Sequence, residues 1–282
     1  MLARAPASSA NLGPGFDTLA LALSLSVEVE VEPAGRLTVE TEGEGSDLPA
    51  DAGHLAARVA VEVVGHDRLA IRVRSGIPVG RGLGSSAALA VAAAAAAGAP
   101  DPLEVAARWD GHPENAAASV LGGLVAATMV DGRPVAVPMA LDPSLGFVVV
   151  VPDRKLATKK ARGALPATVP HADAAFNLGR MALLLAGLAD ASRLTPAAAE
   201  DRLHQRQRAA LFPEADQLLS GLVAAGALAA CWSGAGPSLL AVCPAAVAGR
   251  LRDDAERLME DAAVAGVALV LPADRLGLVV DR

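Results

Sequence analysis

The chain has 282 residues, 53% of them apolar, enough for one large core or two smaller ones. With four Phe, two Trp and no Tyr, that core must be built mostly from Ala, Val and Leu. A net charge of −7 with no basic block argues against wholesale nucleic-acid binding, and two cysteines are too few for a paired-cysteine metal site.

In chain order, Asn11 and Asp17 sit in a Gly/Pro-rich opening that reads as irregular. From Ser26, "SVEVEVEP" alternates strictly, with Val27, Val29 and Val31 on one face and Glu28, Glu30 and Glu32 on the other. That pattern predicts a half-buried antiparallel strand ended by Pro33. "RLTVETE" (36–42) and "LAIRVRSG" (69–76) continue the alternation in the same sheet, with a helix over 53–65 between them closed by Gly65. Helices are expected over 85–97 and 102–109, and a loop entering a helix over 111–123. "LVAATMV" and "RPVAVPM" read as strands around the turn Asp131-Gly132, and "LGFVVVVPD" (145–153) as a fully buried strand. The second half is more helical, near 157–164, 171–190, 196–209, 214–226 and 245–265. "LAACWSG" and "PSLLAVC" precede the last of these helices, and "GVALVLP" and "LGLVVDR" close the chain as strands. Mixed strand and helix order predicts an α+β fold, cut into domains 1–145 and 146–282.

The amino terminus lacks the apolar stretch of a secretion signal, and the long apolar runs are Ala-dominated or punctuated by glycine. A soluble cytoplasmic protein without a membrane span is expected, with Cys231 and Cys243 as reduced core thiols.

"PVGRGLGSSAALAVAAAAAAG" (78–98) sets a flexible turn directly before a strong helix former. Such a join leaves backbone N–H groups unpaired at the positive end of the helix dipole, which makes an anion site. Ser85 and Ser86 can cap the helix, donate to phosphate oxygens or reach Mg²⁺. The Walker pattern does not fit, because no lysine follows Gly84. The dinucleotide fingerprint fails on the spacing of Gly80, Gly82 and Gly84. A plain strand-to-helix turn remains the alternative on spacing alone.

Other candidates have both a structural and a chemical reading. Asn11 and Asp17 suit Asx turns, or the ammonium and hydroxyl of a small amino acid. Asp110, His112, Glu114 and Asn115 suit a helix start, or a polar cluster facing a ligand. Arg162, Arg180, His204 and Arg208 lie on expected helices as solvated residues or as cationic forks for a carboxylate or phosphoryl group. "SGAGPS", with Gly234, Gly236 and Ser238, reads as a tight turn.

"PVGRGLGSSAA" resembles the signature loop of the superfamily of galactokinase, homoserine kinase, mevalonate kinase and phosphomevalonate kinase. "ARAPASSANLGPGFDTLALAL" (3–23) is similar to the opening of homoserine kinases, "GHPENAAASVLGG" to their His-Pro-Asp-Asn segment, and "CWSGAGPSLLAV" to the superfamily's third motif. "DAAFNLGRMALLLAGL" and "LHQRQRAALFPE" also resemble the homoserine kinase C-terminal half, so the resemblance spans nearly the whole chain.

It implies a two-domain fold, with an N-terminal domain like ribosomal protein S5 domain 2 and a ferredoxin-like C-terminal domain. It also implies ATP-dependent phosphorylation of L-homoserine in threonine biosynthesis. ATP would lie along Pro78, Val79, Gly80, Arg81, Gly82, Leu83, Gly84, Ser85, Ser86, Ala87 and Ala88. Mg²⁺ would be held by Ser86 and Asp110, and homoserine by Asn11, Asp17, His112, Asn115, Arg180 and Arg208. Asn115, Asp17 and Arg180 are the expected catalytic residues, with Asn177 and Thr158 as weaker site candidates.

The family usually has Glu at the position of Asp110 and Asp at that of Glu114, which makes the metal role of Asp110 the less secure. Some superfamily members use an Asp-Lys pair as base. This chain has no lysine in its first half, so Asn115 and the hydroxyl are expected to act without a strong protein base. A sister small-alcohol kinase of the mevalonate type and a non-catalytic nucleotide sensor are the alternatives, and a homodimer stays open.

Overall fold

A computed structural model describes residues 1–281. The chain runs β1 (Leu2–Ala10), β2 (Leu19–Pro33), β3 (Thr38–Gly43), α1 (Leu55–Val64), β4 (Leu69–Ser75), α2 (Ser85–Ala96), α3 (Pro102–Asp110), α4 (Pro113–Leu121), β5 (Leu124–Val130) and β6 (Arg133–Met139). It continues β7 (Leu145–Pro152), α5 (Thr158–Gly163), α6 (His171–Ala189), α7 (Gln205–Arg208), α8 (Ala215–Ala224), β8 (Ala229–Trp232), β9 (Leu239–Pro244), α9 (Ala248–Asp261), β10 (Gly266–Val270) and β11 (Val279–Asp281).

Two sheets carry these elements, as the α+β reading requires. The first has the order β11-β1-β2-β4-β3, with β5 beside the start of β2 and β6 beyond it. Strand β2 serves both parts: Leu19–Leu21 pair with β5, and Val27–Pro33 with β4. The second sheet has the order β10-β7-β9-β8, antiparallel throughout. On the outer face of the first sheet, Arg72 reaches Glu30 at 2.7 Å and Arg74 reaches Glu42 at 3.2 Å, as the alternation predicts. The inner face holds α2, whose residues from Ala87 to Ala96 are buried except for the half-buried Leu89. Their small side chains let the helix lie close to β1 and β2, so the Ala run is a packing device.

Three readings need correction. First, the irregular opening is confined to residues 11–18, where Asn11 and Asp17 lie as expected, while β1 occupies 2–10 and β2 starts at Leu19 rather than Ser26. Ala3, Ala5, Ala7, Ser8, Ser9, Ala10 and Leu19–Leu23 are buried on both faces, so no polar alternation marked them. Second, 196–209 is not one helix. Asp201 accepts hydrogen bonds from the backbone N–H groups of Leu203, His204 and Gln205 at 2.9, 2.8 and 2.7 Å. This side chain caps a fresh turn, which leaves a 3-10 turn at Pro196–Ala199 and then the short α7. Third, the 146–282 segment does not keep its last strand. Val279–Asp281 return to pair with Leu2–Arg4 and cover the edge of the first sheet.

Cys231 and Cys243 are buried free thiols, and burial pushes them up to about 12 and 11. By length and composition α6 could cross a membrane. Here it buries Asn177, Leu184, Gly187 and Leu188 against the protein.

Candidate active site

A cleft of about 400 Å³ collects the opening loop, the glycine turn before α2, the starts of α4 and α5, Arg208 and the Gly234 turn. Each wall has a local cause.

The opening loop holds Asn11, Leu12 and Asp17 at φ of 71°, 50° and 49°, a conformation uncommon outside glycine and kept only where surroundings enforce it. Asn11 supplies that enforcement. Its Nδ2 donates to the Gly234 carbonyl at 2.9 Å and its Oδ1 accepts the Asp17 N–H at 3.0 Å. His204 adds a second anchor, its Nε2 lying 2.8 Å from the Gly13 carbonyl and its ring stacked on Phe16. Burial pushes His204 down to about 4, so it is a neutral positioning group.

In the glycine turn, Gly82 and Gly84 are required by close approach. A Cβ on Gly82 would come 2.8 Å from the Gly236 nitrogen, and one on Gly84 would collide with the Ser8 hydroxyl and lie 3.1 Å from Asn115 Oδ1. Gly84, at φ 65°, is itself the residue before α2, and no side chain caps the helix. The expected serine caps are therefore absent: Ser85 and Ser86 lie one and two residues inside the helix. The Ala88 N–H donates to the Gly84 carbonyl at 2.9 Å, which leaves the amides of Ser85, Ser86 and Ala87 ahead of the helical ladder. Pro78, Val79, Gly80, Gly82, Leu83, Gly84, Ser85 and Ser86 line the cleft. Arg81 does not: its guanidinium turns to the Pro152 carbonyl and Asp153. Ala87 and Ala88 point their methyls into the core. Beyond Gly80 the cleft runs into an apolar end between Leu48, Leu55, Val73 and Leu89, where burial keeps His54 below its ordinary range.

The start of α4 brings Ser8, Asn115 and Glu114 into a chain of contacts. Ser8 Oγ donates to Asn115 Oδ1 at 2.8 Å, and Asn115 Nδ2 points to Glu114 Oε1 at 3.3 Å. Glu114 is 1% exposed, and its Oε2 has no hydrogen-bond partner. Burial pushes this carboxyl up to about 7. His112 Nδ1 lies 3.3 Å from Asp110 Oδ2, which outweighs burial and raises the imidazole. Ser86 Oγ donates to Asp110 Oδ1.

Two arginines face this wall. Arg162 of α5 forks both oxygens of Asp17 at 3.0 and 2.9 Å, an arrangement that raises its pKa. Arg208 is 3% exposed, donates to the Gly234 carbonyl at 3.0 Å, and is lowered to about 10 by burial and then by Arg162. Thr158, one turn before Arg162, also lines the cleft.

Arg180 is not brought to this site. It lies in a separate surface depression, paired with Glu200 at 2.9 Å and stacked 4.5 Å above Phe176. Asn177 is a buried strut, donating to Asp201 at 2.7 Å and accepting the Arg202 N–H at 2.9 Å. Ser233 Oγ donates to the Gly82 carbonyl at 2.7 Å and the Ser238 N–H to that of Arg81 at 3.1 Å, so the "SGAGPS" turn closes onto the glycine turn. Arg162 and Thr158 are the residues that sequence reasoning undervalued. Their four-residue spacing on one helix face was the available signal.

The donor set fits a hydrated hard cation. Ser86 Oγ and an Asp110 oxygen lie side by side at the helix start, and among the described residues no group of three His, Cys, Asp or Glu forms a protein cage. Two protein oxygens completed by waters and phosphate oxygens is the habit of Mg²⁺.

Comparison with known proteins gives a consistent neighbourhood. Residues 52–123 match the family described as GHMP kinases N terminal domain, and residues 174–261 match GHMP kinases C terminal. Homoserine kinase of Rhodococcus opacus is 42% identical, covering 90% of this chain and 90% of its own length. That of Leifsonia xyli is 39% identical over 99% of this chain and 91% of its own. The crystal structure of homoserine kinase from Cytophaga hutchinsonii superposes with a TM-score of 0.87 at 25% identity, covering 100% of this chain and 97% of that one. L. major mevalonate kinase shares the fold, with a TM-score of 0.69 at 18% identity over 95% of this chain and 94% of its own.

Proposed function

This chain belongs to the GHMP kinases, among the homoserine kinases, and we propose on that premise that it moves the γ-phosphoryl group of ATP to the side-chain hydroxyl of L-homoserine. The products are O-phospho-L-homoserine and ADP, on the route to threonine. ATP use comes with the family. The choice of homoserine rests on one observation of this cleft: Asp17 and Arg162 face it as a bidentate pair, each about two-fifths exposed. A zwitterionic amino acid can replace both partners at once, its carboxylate taking the Arg162 fork and its ammonium taking Asp17. Mevalonate has a carboxylate and no ammonium, and would leave Asp17 unpaired.

The remaining roles follow from position. The triphosphate suits the amides of Ser85, Ser86 and Ala87, with the nucleoside toward Leu48, Leu55, Val73 and Leu89. Ser86 and Asp110 would hold Mg²⁺, which when bound neutralises phosphate charge. Asn115, held between Ser8 and Glu114, orients the acceptor hydroxyl, and Arg208 backs the substrate carboxylate or the transferring group. Phosphoryl transfer asks mostly for such positioning, which can supply roughly 7–11 kcal/mol. Arg180 has no role in this scheme. A chain that consumes ATP and a free amino acid suits the cytoplasm.

An ADP-release assay with L-homoserine, mevalonate and galactose tests the reading. Turnover with homoserine alone is expected. Turnover with mevalonate would point to a sister kinase, and ATP binding without ADP release to a nucleotide sensor.

A further inference from the structure

The glycine turn before α2 offers backbone amides to a phosphate but no cation of its own. No lysine follows Gly84, and Arg81 turns away to the Pro152 carbonyl and Asp153. Arg162 is held by Asp17, and Arg208 donates to the Gly234 carbonyl. The chain's only lysines, Lys155, Lys159 and Lys160, all lie on the β7–α5 link and the start of α5, flanked by Arg154 and Arg162. We propose that Lys155 is a nucleotide-positioning residue, which exchanges Asp47 for a phosphate of ATP as the nucleotide enters. The proposal rests on the reading that the triphosphate lies along the glycine turn.

The fold seats this link on the turn. The Leu156 N–H donates to the Gly80 carbonyl at 2.9 Å, and a Cβ on Gly80 would lie 3.6 Å from that of Lys155. Leu156 and Thr158 line the cleft, so the exposed Lys155 beside them stands at its rim. Gly80 lies where the phosphate turn meets the apolar end of the cleft, the stretch that the phosphates nearest the nucleoside must pass.

An acidic loop stands across the rim. Glu44, Asp47 and Asp51 lie between β3 and α1 with no Lys or Arg among them, and Glu44, Gly45 and Leu48 line the cleft. Asp47 Oδ2 meets Lys155 Nζ at 3.5 Å, and both side chains are exposed. An ion pair this exposed is weak and gives way to a better anion. A phosphate is that anion, because it carries more charge and arrives already held by backbone amides. The flexible lysine stem can swing from Asp47 to the turn without moving the backbone. Lys159 and Lys160, exposed on the next turn, add to the field that draws a polyanion past the acidic loop in a chain of net charge −7.

The exchange gives the two partners opposite roles. Lys155 contributes to nucleotide binding, whereas Asp47 competes with the nucleotide for Lys155. A pair that only braced the rim would make both side chains favourable, and removing either would loosen the site. The signs of the two substitutions therefore separate exchange from bracing. Only noncovalent contacts change: Lys155 Nζ leaves the Asp47 carboxylate and donates to a phosphate oxygen, and Asp47 returns to water.

The test uses the intact chain with K155M, D47N and the double variant. Each is titrated by calorimetry with a nonhydrolysable ATP analogue and Mg²⁺, with ADP and with adenosine. K155M keeps most of the stem and removes the charge. It should weaken the analogue and ADP about tenfold or more, the worth of a charge-assisted contact, and leave adenosine within about twofold, since no phosphate contact is lost. D47N should tighten the analogue about two- to fivefold, the worth of one exposed pair, and should add nothing in the K155M background. In steady-state kinetics K155M should raise KM for ATP and leave KM for homoserine within about twofold.

K155M binding the analogue as tightly as the wild type, or D47N weakening it, overturns the proposal. So does a K155M effect as large on adenosine as on the analogue, which reports a deformed rim and not a lost phosphate contact. A wild type that binds no ATP analogue overturns the nucleotide reading and the proposal together. One that binds the analogue but releases no ADP with homoserine fails the homoserine reading alone, and the binding ratios still decide the role of Lys155.

Discussion

Exchanging Glu114 for Gln should make the protein more stable at alkaline pH and leave it nearly unchanged in acid. Burial raises this carboxyl from 4.5 to about 7, so between those values the folded chain holds a proton that the unfolded chain has lost. Unfolding then releases a proton, and stability falls as pH rises through that window. The gap of about 2.5 pKa units corresponds to about 3 kcal/mol once the group is fully ionised. Gln carries no such charge and fills nearly the same space.

The assay is urea unfolding of both proteins at pH 5 and pH 8 without nucleotide. The stability of E114Q relative to wild type should grow by about 2–3 kcal/mol between the two, or roughly 4 °C or more in Tm. His204, lowered to about 4 by burial, gives both proteins a slope of opposite sign between about 4 and 6.5. It cancels in the difference. A difference between the two proteins that is the same at pH 5 and pH 8 would refute the claim that Glu114 is buried without a charged partner.

Three further outcomes are expected. Asp17→Asn should raise KM for homoserine by about 10- to 100-fold, the worth of one charge-assisted contact, and leave KM for ATP within twofold, as steady-state kinetics will show. Gly84→Ala puts a methyl on the Ser8 hydroxyl at a φ of 65°; nucleotide titration calorimetry should find binding weakened by more than about tenfold, the worth of 1–3 kcal/mol of backbone strain. Arg180→Ala should leave kcat and both KM values within twofold in the same kinetic assays, because its guanidinium serves Glu200 and Phe176 away from the cleft.

Much of the architecture was legible where polarity alternates. Val27, Val29 and Val31 against three glutamates announce a strand with one wet face, and the structure pairs that stretch with β4. The preceding Leu19–Leu23 belong to the same strand, but they are buried on both faces and so carry no period. The anion site was legible because glycine before alanine is a local signal. The absence of serine caps was not, since it follows from the left-handed turn at Gly84 rather than from the serines.

The choice between arginines was beyond local reading. Arg162 and Arg180 both lie on helices, and only the docking of the β7–α5 link separates them. The Leu156 N–H donates to the Gly80 carbonyl at 2.9 Å, which carries Arg162 to the cleft, while α6 turns Arg180 toward Glu200. For Glu114 the sequence left a helix start and a ligand-facing cluster both open, and its burial was not legible because it comes from the packing of distant segments around it.

The most direct examination of the account is a crystal structure of the chain with Mg²⁺, a nonhydrolysable ATP analogue and L-homoserine. It should show the terminal phosphate on the Ser85–Ala87 amides, with the amino acid between Asp17 and Arg162 and its hydroxyl beside Asn115. A triphosphate bound elsewhere, with the Asp17–Arg162 fork intact, would contradict it.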